Sequence, residues 1–235
     1  TGPWPFPDLL PERWNAGAWT SVLASHDTLA TTLWLALTSA GVALAWSVAW
    51  LELAPPTWQL RLQALAMGPL LLPALLWTLG LHQLTLAWGL DGSAAGVWLA
   101  HWLACVPYVL LTLHGPYAGF DQRLTAVAAT LGHSRWHSLW RIKWPLLRAS
   151  LASAFAVGFS VSVVQYLPTL YVGTGRFATV TTEAVALASG GQRNLMAAFA
   201  WLQWLLPAAV FAWAAWLGRP RRFAKPNTQL GTIRP

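Results

Sequence analysis

Charge is what this 235-residue sequence has least of. Only 9% of its residues are Asp, Glu, Lys or Arg, seven acids against 14 bases, where an average soluble domain carries about 25%. A folded, water-exposed surface of this size needs far more charge, which excludes a soluble globular domain. Intrinsic disorder is excluded as well, because it requires low hydrophobicity and 56% of these residues are hydrophobic. Cysteine is nearly absent: Cys105 stands alone, so neither an internal disulfide nor a thiolate metal cluster can form, and the redox compartment is left open. Neither lysine, Lys143 or Lys225, follows a glycine, so the Gly-Lys-Ser/Thr phosphate loop is missing and the chain cannot hydrolyse ATP by that device. The sequence starts at Thr1 with a proline-rich segment lacking a basic region and short apolar core, so no secretory signal is visible and an upstream segment is expected to be missing.

Long uncharged stretches are what the sequence has. Cutting at every charged residue leaves five runs, 28–51, 62–90, 92–120, 149–175 and 194–218, each longer than the about 20 residues a helix needs to cross a bilayer. They are rich in Leu and Ala and do not alternate apolar with polar, which argues for helices and against an outer-membrane barrel. Backbone groups in lipid must satisfy one another, and a helix does so within one segment. The expected fold is therefore all-α: a polytopic helical membrane protein with a core of five transmembrane helices and a short two-helix cytoplasmic loop. The spans fall at about 28–51, 62–82, 93–114, 146–168 and 195–217, within a membrane domain 28–218, with an external lead-in 1–27 and a basic tail 219–235. Tryptophan is abundant, 18 copies, and Trp58, Trp88, Trp144 and Trp216 fall near span ends, where indole suits the headgroup layer.

The basic residues set the orientation. Arg123, Arg135, Arg141, Lys143 and Arg148 lie between the third and fourth spans, and Arg219, Arg221, Arg222 and Lys225 follow the fifth; both regions belong on the cytoplasmic side. Parity then places 1–27, the turn at Asp91 and the loop 169–193 outside, and the connector near Glu52 to Arg61 inside. The net charge of +7 is thereby used up in membrane orientation, and no basic surface remains for nucleic acid.

Irregularities inside the spans are few. Pro69 and Pro73 interrupt the second and Pro107 the third, freeing carbonyls and favouring kinks. Ala40, Gly41, Ala45, Ala152, Ala156, Gly158 and Ser160 permit close helix approach. His133 and His137 could share a helix face, but no acid or cysteine accompanies them as a zinc site requires. His101 and His114 lack an opposite axial ligand for haem. A secondary carrier usually keeps ionisable groups near the midplane, where this sequence offers only His101. Gly173, Gly175, Gly190 and Gly191 read as loop turns.

The informative segment is 119–148. Asp121 caps a first short helix whose Leu124, Val127, Ala128 and Leu131 recur at helical spacing, and Gly132 supplies the backbone freedom for a sharp turn. Trp136, Leu139 and Trp140 then form a second apolar face among Arg135, Arg141 and Lys143, and Pro145 is placed to begin the fourth span. Such a basic amphipathic elbow suits either lipid headgroups or a groove on a partner protein, and composition does not choose between them.

The same segment resembles the cytoplasmic signature of bacterial ABC importer permeases: Glu-Ala-Ala, three residues, Gly, nine residues, Ile, one residue, Leu-Pro. Ala126-Val127-Ala128, Gly132, Ile142, Trp144 and Pro145 occupy those places with matching spacing, although Ala126 replaces the acid, Val127 an alanine and Trp144 the leucine. The stretch Gln165 to Gly191 is similar to the outer loop of ferric-iron and thiamine permeases, in which two permease halves are commonly fused; the external start then fits the second half of such a chain.

The resemblance implies a transmembrane permease subunit or half-subunit of an ATP-driven importer in the bacterial inner membrane. It implies no catalytic residue and no cofactor on this chain, with ATP bound by a separate cytoplasmic ABC ATPase dimer that docks on Asp121, Ala126, Val127, Ala128, Gly132, Ile142, Trp144 and Pro145. Further implied partners are a periplasmic substrate-binding protein, delivering a small solute over 1–27 and 169–193, a second permease half and membrane lipid. Pro145 would pass the elbow's motion to the fourth span. Gln165 and Tyr166 are candidates for lining the pathway, and the solute is left open among ferric iron, thiamine, a polyamine or another small molecule. The alternative is a secondary carrier or membrane scaffold whose basic loop lies in lipid.

Overall fold

Leu- and Ala-rich runs without charge fold as helices here, and prolines decide where they break. The computed structural model describes residues 17–55, 58 and 66–219. The expectations for the lead-in before residue 17, for most of the connector around Arg61, and for Arg221, Arg222 and Lys225 lie outside the described residues. The elements are α1 (Gly17–Ala24), α2 (His26–Leu53), α3 (Gly68–Leu71), α4 (Ala74–Ala87), α5 (Ala94–Ala118) and α6 (Gln122–Thr130). They continue with α7 (Arg135–Leu146), α8 (Arg148–Val163), α9 (Leu167–Val172), α10 (Val180–Ser189) and α11 (Arg193–Gly218). The described residues contain no strand, in agreement with the all-α, polytopic class expected from the sequence.

Among the described residues three helices, α2, α5 and α11, are long and apolar enough to cross a membrane, and α7 with α8 makes a fourth if that bent pair is one span. Five spans, two of them kinked by proline, were expected, and the difference among the described residues is written in proline. Pro69 sits in the first turn of α3 and Pro73 immediately precedes α4, leaving α4 with 14 residues, about 21 Å at 1.5 Å per residue. The expected fourth span, 146–168, is broken near both ends. Pro168, in the first turn of α9, has a ring that would collide with the carbonyl of Val164 in a continuous helix, and α8 ends at Val163 after 16 residues. Pro145 does not start α8, as the sequence suggested; it lies in the last turn of α7, and α8 begins at Arg148 after a 74° bend. Pro107 and Pro116 are carried inside a continuous α5.

α8 forms the centre, packed against α2, α5 and α11. Gly158 makes this approach feasible: a Cβ there would lie 2.9 Å from Val109 Cγ2 of α5 and 3.3 Å from Ala40 Cβ of α2. Ala152 and Ala156 meet Ala214 of α11 in the same way. The other small residues singled out differ: a Cβ on Gly41 would meet nothing within 4 Å, and Ala45 is exposed. Large apolar side chains such as Leu33, Trp34, Leu37, Trp201 and Trp204 point outward, as a lipid-facing surface requires.

The bundle has two dissimilar ends. At one, His82 Nδ1 lies 3.3 Å from the Asp91 carboxylate, and the Gly92 N–H donates to the Val172 carbonyl, tying the α4–α5 turn to α9. The other carries Glu52, Tyr117, the α6–α7 elbow and Arg148, whose guanidinium donates to the Arg219 carbonyl. The sequence assigns this second end to the cytoplasm.

Candidate functional site

Local sequence builds the elbow. Asp121 is the N-cap of α6, its carboxylate accepting the Arg123 N–H at 2.9 Å, an arrangement that satisfies one of the free donors of a helix start. Gly132 closes the helix with φ +82°, and the His133 N–H bonds back to the Ala128 carbonyl at 3.0 Å. That wrap-around ending needs a left-handed residue, for which glycine carries no Cβ penalty. Ser134 then caps α7 by accepting the His137 N–H. Within α7 the turn Leu139–Lys143 widens to π-helical geometry. This loosened turn precedes Pro145, whose ring would otherwise press on the Arg141 carbonyl one turn back.

The elbow is gripped to the bundle by charge. Lys143 Nζ lies 2.8 Å from Glu52 Oε1 with both side chains below 10% exposed. The same ammonium stands 4.5 Å from the centroid of the Tyr117 ring and 5.4 Å from that of Phe120. Arg135, two turns earlier, donates to the main-chain carbonyl of Glu52. Glu52 is the second-last residue of α2, so its carbonyl is one that the helix itself cannot satisfy, and cations suit the negative end of the helix dipole. Removing one partner of such a buried pair costs about 3–5 kcal/mol, because the other charge is stranded.

The elbow's outer surface is apolar. Leu124, Val127, Leu131 and Trp136 are exposed, Leu131 to 72%; Trp140 is exposed too and meets Trp144 edge-on, with ring centroids 4.4 Å apart. Asp121, Ala126, Val127, Gly132 and Pro145 lie at the surface, and Ile142 and Trp144 are half-buried. Ala128 faces inward at 3% exposure and does not belong to that surface. Leu139 is likewise buried and does not share an exposed face with Trp136 and Trp140. Among the described residues a Cβ added to Gly132 would meet nothing within 4 Å.

Gln165 and Tyr166 occupy the break between α8 and α9. They line a cleft of about 340 Å³ together with Trp77, Thr78 and Tyr108, closed on one side by Leu70 and Leu72 of the interrupted second run. No lining residue carries a formal charge. The break is fastened from behind by His101, whose Nδ1 is 2.7 Å from Ser162 Oγ on α8 and whose Nε2 is 2.9 Å from Thr169 Oγ1 on α9. Ser39 of α2 completes the chain by donating to Ser162 Oγ at 3.1 Å. His133 and His137 stack, centroids 4.3 Å apart. Among the described residues no three His, Cys, Asp or Glu side chains converge as a metal site.

Sequence reading missed Lys143, Arg135 and Glu52 as a unit. Lys143 was counted as one basic residue among five and Glu52 as a helix end. A pairing of residues 91 positions apart has no local signal, although a lone acid at the end of one span and a lysine within an otherwise apolar face are the two halves of one.

No family model matches the chain. Among curated proteins it is similar to the "Inner membrane ABC transporter permease protein YnjC" of Escherichia coli (strain K12), with 42% identity over 187 residues, or 80% of this chain. The match covers 36% of that protein, so the chain spans about a third of the length of its relative.

Proposed function

We propose that the chain is a membrane-spanning permease unit of an ATP-driven importer in the bacterial inner membrane, a reading supported by its 42% identity over 187 residues to an inner membrane ABC transporter permease. The observation that carries the proposal is the elbow: α7 is fixed to the ends of α2 and α5 while Leu124, Val127, Leu131 and Trp136 stay uncovered. An apolar face held rigidly at the cytoplasmic end of a helical bundle is suited to a groove on another protein.

In this reading a separate ABC ATPase dimer binds the elbow through Val127, Ala126, Gly132 and Asp121, and Ile142, Trp144 and Pro145 shape α7 behind them. ATP-driven closure of the dimer shifts the elbow, and the bundle passes between inward-open and outward-open states. A periplasmic binding protein presents a small solute at the opposite end, near the α4–α5 turn and α9. A second permease half completes the pathway, and Gln165 and Tyr166, in the broken fourth run, line it. Helix breaks of this kind expose backbone groups where irregular structure is tolerated, beside a cavity.

The test is affinity capture of the tagged full-length protein from its native membrane. An ABC-type ATPase should copurify, with ATP hydrolysis that vanadate inhibits. Energised solute uptake surviving deletion of that ATPase would favour a secondary carrier, and absence of both uptake and ATPase, with the loop protected only by lipid, would favour a scaffold.

A further inference from the structure

We propose that Glu52 and Lys143, with Arg135, form a strut that makes the elbow, α2 and α5 one mechanical body, so that motion imposed on the elbow enters the bundle through α2 and α5 before it reaches α8. This rests on the elbow receiving an ATPase. The sequence suggested another route, through Pro145 directly into the fourth span.

Two observations decide between the routes. The covalent route turns a corner: α7 contains a π-helical turn, ends at Leu146, and meets α8 at 74° across Leu147. With the two axes so inclined, a push along α7 is directed mostly across α8 rather than along it. The non-covalent route is short and stiff. Lys143 reaches Glu52 at 2.8 Å in a site shielded from water and is roofed by the Tyr117 and Phe120 rings. Arg135 holds the Glu52 carbonyl from the start of the same helix. Two cations eight residues apart thus fix both the side chain and the backbone of one residue, which determines the orientation of α7 on α2 as well as its distance. Charge-assisted contacts in a low-dielectric site are strong and geometrically specific. Lys143 and Glu52 act here as positioning residues, since neither needs to touch solute or nucleotide.

The strut is tested on the full permease with its copurified ATPase, spin-labelled at Thr130→Cys on the elbow and Val42→Cys on the exposed side of α2. Distances are measured by pulsed electron resonance without nucleotide and after trapping with ATP and vanadate. The expected result is a label distance equal in both states to within about 2 Å, the uncertainty set by label rotamers. In the neutral pair Glu52→Gln with Lys143→Met, which strands no charge, the distance becomes nucleotide-dependent or broadens. The reversed pair Glu52→Lys with Lys143→Glu restores one narrow distance. A purely structural pair would lower stability in the neutral variant without making that distance respond to nucleotide, and this outcome overturns the strut. A wild-type distance that changes on trapping overturns it as well. If no ATPase copurifies with the unmutated protein, the importer reading fails and the strut fails with it; an ATPase present with a moving elbow refutes the strut alone.

Discussion

Gly132 separates two roles that a turn glycine can have, and the structure gives a magnitude for one of them. Its φ of +82° is disfavoured for any residue with a Cβ by about 1–2 kcal/mol. Gly132→Ala should therefore destabilise the elbow by that amount, and Gly132→Asn by less, because asparagine visits the left-handed region more readily. Space is not at issue among the described residues: a Cβ there meets none of them within 4 Å. Gly132→Leu should lower stability no more than alanine does, yet it places a bulky side chain on the surface assigned to the ATPase. The assay pairs thermal unfolding of the purified permease with the amount of ATPase retained on it. A stability order of Gly, Asn, Ala, with Leu near Ala, is expected together with retention that survives Asn and is lost with Leu. Equal retention by Leu and wild type would refute the docking role, leaving only the backbone one. Loss of retention in strict proportion to stability would do the same.

Gly158→Val should disrupt the crossing of α8 with α5 and α2, since even its Cβ would lie 2.9 Å from Val109; overpacking of this kind costs about 1–3 kcal/mol, read as a lower unfolding temperature in detergent. An unchanged temperature would mean that the helices are not so closely approached. Ser162→Ala removes the partner of both Ser39 and His101, and a loss of about 1–2 kcal/mol is expected for buried polar contacts in a membrane bundle, with faster backbone hydrogen exchange around Val164 to Tyr166. No change in that segment would show that His101 does not fasten it. Exposed positions at the two ends, Leu131→Cys and Ser189→Cys, should react with an impermeant thiol reagent from opposite sides of the membrane, Leu131 from the cytoplasm. Labelling of both from one side would overturn the topology.

Membrane class and most helix positions were legible because absence of charge over twenty or more residues is a strong signal with one physical outcome. The ends of α2, α5 and α11 follow the uncharged runs closely. The fourth run was read too long because apolarity alone does not register the collision of a proline ring with the carbonyl four residues earlier, which ends α8 before Pro168. Gly132 and the Asp121 cap were legible as local chemistry. The orientation of the elbow's faces was not: helical spacing groups Ala128 with Leu124, Val127 and Leu131, and only tertiary packing decides that Ala128 turns inward and the leucines outward. Glu52 and Lys143 were invisible as a pair for the same reason, their proximity being set by how α7 folds back over the end of α2.

The central claim is that residues 121–145 hold a nucleotide-hydrolysing partner at the inner face. It is tested most directly by a photo-crosslinking amino acid placed at Leu131 in the full-length protein and activated in living cells. The account predicts a covalent adduct with one ABC-type ATPase, diminished when the same chain carries Gly132→Leu. Adducts with lipid alone, or with proteins that bind no nucleotide, would contradict it.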